Sequence, residues 1–253
     1  MIIDIVSDLH VEHWKKFPYI WERYKQSEVV VIAGDISDSV DLTIHELIKA
    51  CQVYKYVIFV DGNHESGDLN QSSYDLDKSI NIIYERMKGY SNFFSLHHEI
   101  CRFENIAFIG SCLWWNFSNS LQVKQQFSLY MDPSTIERIE NTANTHADIL
   151  HNQILQLSKD SSIDTIVVVT HTLPHSVFVS DTNYPSSDKY KPMYFNSRGE
   201  SFFDYPKVKY FIFGHSHDAK IRYVNDKLCI NNARGRPFDF NRENYAPYTV
   251  VIK

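Results

Sequence analysis

Ile2-Ile3-Asp4-Ile5-Val6-Ser7-Asp8-Leu9-His10 begins as an apolar run of strand length and ends in a carboxylate and an imidazole two residues apart. Branched residues favour a strand here, and the polar pair falls where that strand stops. The pattern returns four times. Val29–Ala33 runs into Gly34-Asp35, 57–60 into Asp61-Gly62-Asn63-His64-Glu65, 165–169 into Thr170-His171, and 209–213 into Gly214-His215-Ser216-His217. Near-continuous apolar strands mark a sheet covered on both faces. The turns beyond such strands are where open α/β sheets gather ligands.

Helical patterns alternate with the strands. Residues 40–50 carry Leu42, Ile44, Leu47 and Ile48 at helical spacing, which suits a crossover. A second helix is predicted over 74–88, ending at Gly89. From Pro133 to Lys159, seven apolar residues from Ile136 to Leu157 step by three and four, with Asp132 as N-cap and Pro133 as the first helical residue. Residues 98–110 read as a hairpin, and 221–224, 228–231 and 248–252 as closing antiparallel strands. The stretch 173–205, rich in Tyr, Phe, Ser and Pro, has no period; a loop that long suits a lid or substrate wall.

A length of 253 residues fits one α/β domain over 1–253, with a helical insert at about 113–160 and a substrate-side loop at about 173–205. The 25 Lys+Arg against 31 Asp+Glu give a net charge of −6 with no basic block, so long nucleic acid is not expected as a partner. This excludes nucleotides only weakly, because a metal centre brings its own positive charge. Four scattered cysteines fit a reducing, cytoplasmic setting. The opening strand leads straight into a motif, which leaves no room for a leader, and the apolar runs fall far short of the roughly 20 residues a membrane span needs. Oligomeric state is not readable.

Five strand ends supply two carboxylates, one amide and four imidazoles: Asp8, Asp35, Asn63, His10, His171, His215 and His217. That donor set suits Mn, Fe, Zn or Co, whereas Mg and Ca favour oxygen alone. Seven donors are too many for one tetrahedral catalytic zinc, so two ions are the natural count. In such pairs, about 3.5–4 Å apart, a bridging hydroxide attacks phosphorus while both ions neutralise phosphoryl oxygens.

The series Asp8-Leu9-His10, Gly34-Asp35, Gly62-Asn63-His64-Glu65, Thr170-His171 and Gly214-His215-Ser216-His217 resembles the five-block signature of calcineurin-like metallophosphoesterases, in family order. The resemblance implies a four-layer αββα-like sandwich, two central mixed sheets flanked by helices. It gives Asp8, His10 and His217 to a first metal and Asn63, His171 and His215 to a second, with Asp35 bridging. His64 would bind the substrate phosphate and protonate the leaving oxygen. The implied activity is metal-dependent phosphoester hydrolysis, by a phosphodiesterase or phosphatase acting on a small or nucleotide-like substrate. A nuclease is the alternative enzyme, and a scaffold that keeps the fold without catalysis is the alternative of another class.

A narrower likeness, in Ser7-Asp8-Leu9-His10-Val11-Glu12, 110–115 and Asn232-Ala233-Arg234-Gly235, is to a branch of small bacterial and phage-type members. That branch commonly has a second His after the fourth-block histidine; Thr172 stands here. Arg234 is a candidate phosphate clamp, with a turn arginine as the competing reading. His175 is a candidate substrate contact, and Asp61 and Glu65 should orient ligand groups. Trp114 and Trp115 read first as packing, with one ring on the cleft as the alternative. His13, His45, His97, His98, His146 and His151 are expected on the surface or in packing.

Overall fold

The computed structural model describes residues 1–66, 75–180, 188–240 and 242–253. Its strands form two sheets laid face to face. The first contains β1 (Ile2–Val6), β2 (Val29–Ala33), β3 (Tyr56–Val60) and β4 (Phe93–Ser95), all parallel. The second is built from β5 (Cys101–Phe103), β6 (Ile106–Ser111), β7 (Thr165–Thr170), β8 (Val208–Phe213), β9 (Lys220–Val224) and β10 (Lys227–Asn231), in the order β5-β6-β7-β8-β10-β9. Its inner four strands are parallel and its two edge strands antiparallel. The last strand, β11 (Tyr248–Val251), returns to the first sheet and pairs antiparallel with β1.

Strand alternation sends successive side chains into different cores. Val29, Val31 and Ala33 join Val167, Val169 and Ile212 between the sheets. Val30 and Ile32 face outward, onto a core shared with Trp21, Ile44, Leu47 and Ile83. Ile166, Val168 and Phe211 face the opposite way, toward Ala147, Leu150 and Ile154. Both faces of each sheet are therefore apolar, which explains the unbroken runs in the sequence.

The outer face of the first sheet is covered by α1 (Trp21–Tyr24), α2 (Val40–Val53) and α3 (Lys78–Met87). After α4 (Leu121–Phe127), the long α5 (Pro133–Lys159) covers the second sheet. Ser39 caps α2 by accepting from Leu42 N–H, and Asp132 caps α5 by accepting from Ser134 N–H, with Pro133 just inside. The first half of α5 packs Ile136, Ile139 and Ala143 against Trp114, Trp115 and Phe117. Two short helices, α6 (Val177–Ser180) and α7 (Pro237–Phe240), follow later in the chain.

The three closing strands are antiparallel as expected: β9 and β10 pair with each other, while β11 crosses to the other sheet and pairs with β1. An edge strand with one half-covered face carries the same pattern on either sheet, so its partner is not written in it. The helix expected over 74–88 is shorter, at Lys78–Met87, and Tyr74 lies outside the described residues. In 173–205 the chain forms α6 and 3-10 turns at Asp188–Met193 and Ser197–Asp204, with 181–187 outside the described residues.

Candidate metal centre

The C-terminal ends of β1, β2 and β3 in one sheet and of β7 and β8 in the other meet at a single seam. Asp8, His10, Asp35, His215 and His217 all take left-handed backbone, with φ of 51°, 42°, 56°, 68° and 52°. Non-glycine residues adopt this region rarely, and its clustering here turns each chain sharply so that the side chain points back into the seam. Backbone ties fix the turns: Asp8 N–H donates to Gly34 O at 3.0 Å and His10 N–H to Asp35 O at 3.2 Å. His215 N–H crosses between the sheets to the Asp8 carboxylate at 3.0 Å. Close approach leaves no room for side chains at two glycines. A Cβ on Gly62 would lie 2.1 Å from Asp35 Oδ1, and one on Gly214 would lie 2.3 Å from Asp8 Oδ2.

The donor atoms form two overlapping groups, Asp8-His10-Asp35-His217 and Asp35-His171-His215, each with its atoms within 4.8 Å of one another. Asp35 belongs to both. Its Oδ2 lies 3.1 Å from His171 Nε2 and 3.8 Å from His10 Nε2. That buried oxygen has no hydrogen-bond partner among the described residues. His10 Nε2 and His217 Nε2 face each other at 3.0 Å, and Asn63 Oδ1 sits 3.1 Å from His171 Nε2. A buried carboxylate oxygen without a donor, ringed by imidazole nitrogens, is the arrangement that shared cations satisfy.

Electrostatics agree. Burial alone would raise the Asp35 carboxyl, yet His171, His64 and His10 hold it well below the usual carboxylate range. Asp8 is likewise lowered against its burial by His217 and His171. Burial would lower His171, but Asp35 lifts it to about 10; Asp239 and Asp8 lift His217 to about 9 in the same way. Burial and the neighbouring His171 push His215 down to about 3. The carboxylates thus draw positive charge into the seam, and protons supply it where ions do not.

The far side of three of the four rings is anchored, which selects the nitrogen that faces inward. His171 Nδ1 donates to Ala33 O at 2.9 Å, His215 Nε2 to Met193 O at 2.9 Å, and His217 Nδ1 meets Asp239 Oδ2 at 2.5 Å. Glu65 binds the backbones of two loops together: it accepts from Asp35 N at 2.9 Å, Ile36 N at 2.6 Å and Gly62 N at 2.7 Å. Burial pushes its carboxyl up to about 7. Asp61 is fully buried with neither oxygen partnered among the described residues, and burial raises its carboxyl well above normal.

His64 stands beside the donors at the cleft mouth. Its Nδ1 meets Asp38 Oδ1 at 2.5 Å, while Arg236 Nη2 lies 3.0 Å from its Nε2. Trp115, Met193 and Tyr194 form the apolar wall opposite. The Trp115 ring stacks on His215 at 5.7 Å, so this wall also braces a metal-ligand candidate.

Other candidates lie elsewhere. Arg234 is 2% exposed, packs its guanidinium over the Trp14 ring at 4.2 Å and donates to Phe17 O at 2.6 Å. It does not line the cleft; Arg236, two residues on, does. His175 accepts from Val177 N–H at 3.0 Å and lies 3.6 Å from Glu200, also off the cleft. Both tryptophans are buried, and only Trp115 reaches the cleft. His151 bonds Tyr205 and His98 stacks on Tyr84, whereas His97 and His146 gather round Asp77. Sequence reading missed Arg236, Asp38 and Asp239. Asp38 carried a usable signal, since it follows Asp35 by three residues in the same turn. Asp239 carried none.

No helix among the described residues is long and apolar enough to cross a membrane. The calcineurin-like phosphoesterase family profile matches residues 1–219. A protein of Acanthamoeba polyphaga mimivirus is 26% identical over 283 aligned positions, covering 99% of this chain and 96% of its own. Among solved structures, phosphopantetheinyl hydrolase from Mycobacterium tuberculosis is similar at a TM-score of 0.80 and 14% identity, over 99% of this chain and 96% of that one. A dimetal phosphatase from Danio rerio is similar at 0.56 and 16% identity, over 98% and 91%. With two mixed sheets flanked by helices and a buried His/Asp cluster that could hold metal ions, the chain belongs to the calcineurin-like phosphoesterase family, hydrolases acting on ester bonds.

Proposed function

We propose that this protein hydrolyses a small or nucleotide-like phosphoester at a centre of two first-row transition ions, Mn, Fe, Zn or Co. Asp8, His10 and His217 hold one ion, Asn63, His171 and His215 the other, and Asp35 bridges. The observation that carries the reading is Asp35 Oδ2: a buried, unpartnered oxygen shared by two donor groups at the base of a cleft. When bound, two such ions supply an activated water and neutralise charge on the phosphoryl oxygens.

The chain's own residues do the rest. Arg236 Nη2 and His64 Nε2 converge within 3.0 Å, so a phosphoryl oxygen entering between them takes up the guanidinium and frees the imidazole nitrogen. Asp38 on Nδ1 fixes the ring so that Nε2 faces the departing oxygen, to which it donates a proton. The neighbouring wall of Trp115, Met193 and Tyr194 seats a leaving group with a flat or aliphatic body. Tyr194 and Met193 come from 173–205, which supports its part as a substrate-side loop. The phosphopantetheinyl hydrolase similarity supports only the shared fold, and suggests phosphopantetheinyl esters for the substrate panel.

The test is hydrolysis of bis(p-nitrophenyl) phosphate by Mn²⁺-loaded protein, then a panel of cyclic nucleotides, nucleoside monophosphates, dinucleotides and single-stranded DNA. Turnover of small diesters or nucleotides is expected. Absence of both turnover and bound metal would favour the scaffold, and preference for DNA the nuclease.

A further inference from the structure

Away from the cleft, a second set of nitrogen and oxygen donors converges where α3, the turn after β4 and α5 meet. Asp77 occupies the N-cap of α3, where an aspartate ordinarily accepts from the backbone of the next turn. Its side chain makes no such bond. The carboxylate is turned instead to His146 Nε2, at 3.1 Å. His146 lies on α5 and is 1% exposed. His97, in the turn after β4, brings a third ring, with centroids 5.2 Å apart and planes inclined at 74° to that of His146. That inclination lets both rings aim a nitrogen at one point instead of stacking.

Donor atoms of all three residues lie within 4.8 Å of one another. The His97 ring makes no hydrogen bond among the described residues. Adjacent His98 is taken up otherwise, bonding Ser95 Oγ at 3.0 Å and Asn81 Oδ1 at 2.8 Å and stacking on Tyr84. Two ligands each about 2.0–2.1 Å from one ion stand about 3 Å apart. The 3.1 Å between Asp77 and His146 matches the 3.1 Å between Asp35 and His171 in the cleft. A simple Asp–His pair would need neither the second imidazole nor the missing helix cap.

We infer that Asp77, His97 and His146 form a further binding site for a first-row transition ion of the zinc type, separate from the centre in the cleft. Two imidazoles and one carboxylate suit Zn²⁺, Co²⁺ or Fe²⁺ and disfavour Mg²⁺ and Ca²⁺. Three protein donors leave the remaining positions to water. An ion here ties α5 to α3 and to the end of β4. Because the first half of α5 packs Trp114 and Trp115, the tie fixes the helix behind the cleft's aromatic wall.

The experiment strips the protein with a chelator, equilibrates it with Zn²⁺, desalts it and counts metal per chain by elemental analysis. His97→Gln and Asp77→Asn should each bind one equivalent less than wild type, while melting like wild type in the chelator. Among the described residues the His97 ring makes no hydrogen bond, so His97→Gln should retain the fold. Equal zinc content in wild type and both variants overturns the site. Anomalous diffraction at the zinc edge gives a second readout: a peak between the three side chains is expected, and its absence overturns the proposal. The count is a difference, so failure of the cleft assignment would lower all three proteins together and leave this difference intact.

Discussion

Replacing Glu65 with glutamine exchanges one acceptor oxygen for a donating amide where the backbone offers only donors. Oε2 accepts from Asp35 N at 2.9 Å and Gly62 N at 2.7 Å; Oε1 accepts from Ile36 N at 2.6 Å and Ser37 N at 3.3 Å. Whichever end receives the nitrogen, two N–H groups lose their acceptor, and Glu65 is only 1% exposed, so water does not replace it. Each buried donor left unpaired costs about 1–3 kcal/mol, so the loss should be about 2–6 kcal/mol. That is a large part of the about 5–15 kcal/mol that stabilises a typical protein. In urea at a pH above the Glu65 value of about 7, where the carboxylate is ionised, and with a slope of about 3 kcal/mol/M, the unfolding midpoint of chelator-treated protein should fall by about 0.7–2 M. Asp35 N–H is among the affected donors and both donor groups share Asp35, so bound metal should fall at both positions. A midpoint unchanged within about 0.2 M, with full metal content, would refute the idea that Glu65 holds the two loops in register.

Asp35→Asn should remove most bound metal from both cleft positions, because the shared carboxylate loses its charge; unchanged elemental content would count against the bridging assignment. His64→Ala should retain its metal yet slow esters with poor leaving groups most, and an equal loss across leaving groups in steady-state assays would remove its role as proton donor. Arg236→Ala should raise KM for small phosphoesters about tenfold or more, the worth of a charged hydrogen bond of about 1.5–3 kcal/mol, whereas Arg234→Lys should act on stability instead. Metal loading at pH 7.5 should release protons, since His171 at about 10 and His217 at about 9 are charged in the metal-free protein and ligate only when neutral. The same shifts stabilise the metal-free fold fully below the unfolded histidine value of about 6.5, an effect lost as pH rises through about 9 to 10. Calorimetry in buffers of different ionisation enthalpy gives the proton count, and zero release would contradict it.

The donors could be read in the sequence because each sits within a few residues of an apolar run, and a strand end is a local signal. The long helix was equally plain: Asp132 and Pro133 mark its start, and the three-four spacing of its apolar face carries to Leu157. What lay hidden depends on contacts between distant segments. Nothing in 248–251 tells which sheet edge β11 joins, since only its pairing with Ile2–Ile5 decides that. The choice between Arg234 and Arg236 turns on Gly235, whose left-handed φ of 72° separates an arginine packed on Trp14 from one in the cleft. Asp239 meets His217 across 22 residues through a one-turn helix with no periodic signature.

The left-handed turns explain why the ligand set and the sheet packing form one unit. A residue with a Cβ loses about 1–2 kcal/mol in this conformation, less for Asp, whose short polar side chain tolerates it. Five such residues at one seam approach the net stability of a whole domain. They persist because pairwise ties over-determine them: β1's end to β2's through Asp8 N–H and His10 N–H, the second sheet to the first through His215 N–H and the Asp8 carboxylate, and Gly214 N–H to His171 O at 3.0 Å. A substitution at any of these candidate ligands should therefore move metal content and sheet docking together. His64 joins this web through its backbone, which donates to Asp35 Oδ1 at 2.9 Å, whereas its ring bonds Asp38 and Arg236 at the cleft mouth. It is consequently the residue at which chemistry separates cleanly from folding, which makes its variants the most direct probe of the proposed proton transfer.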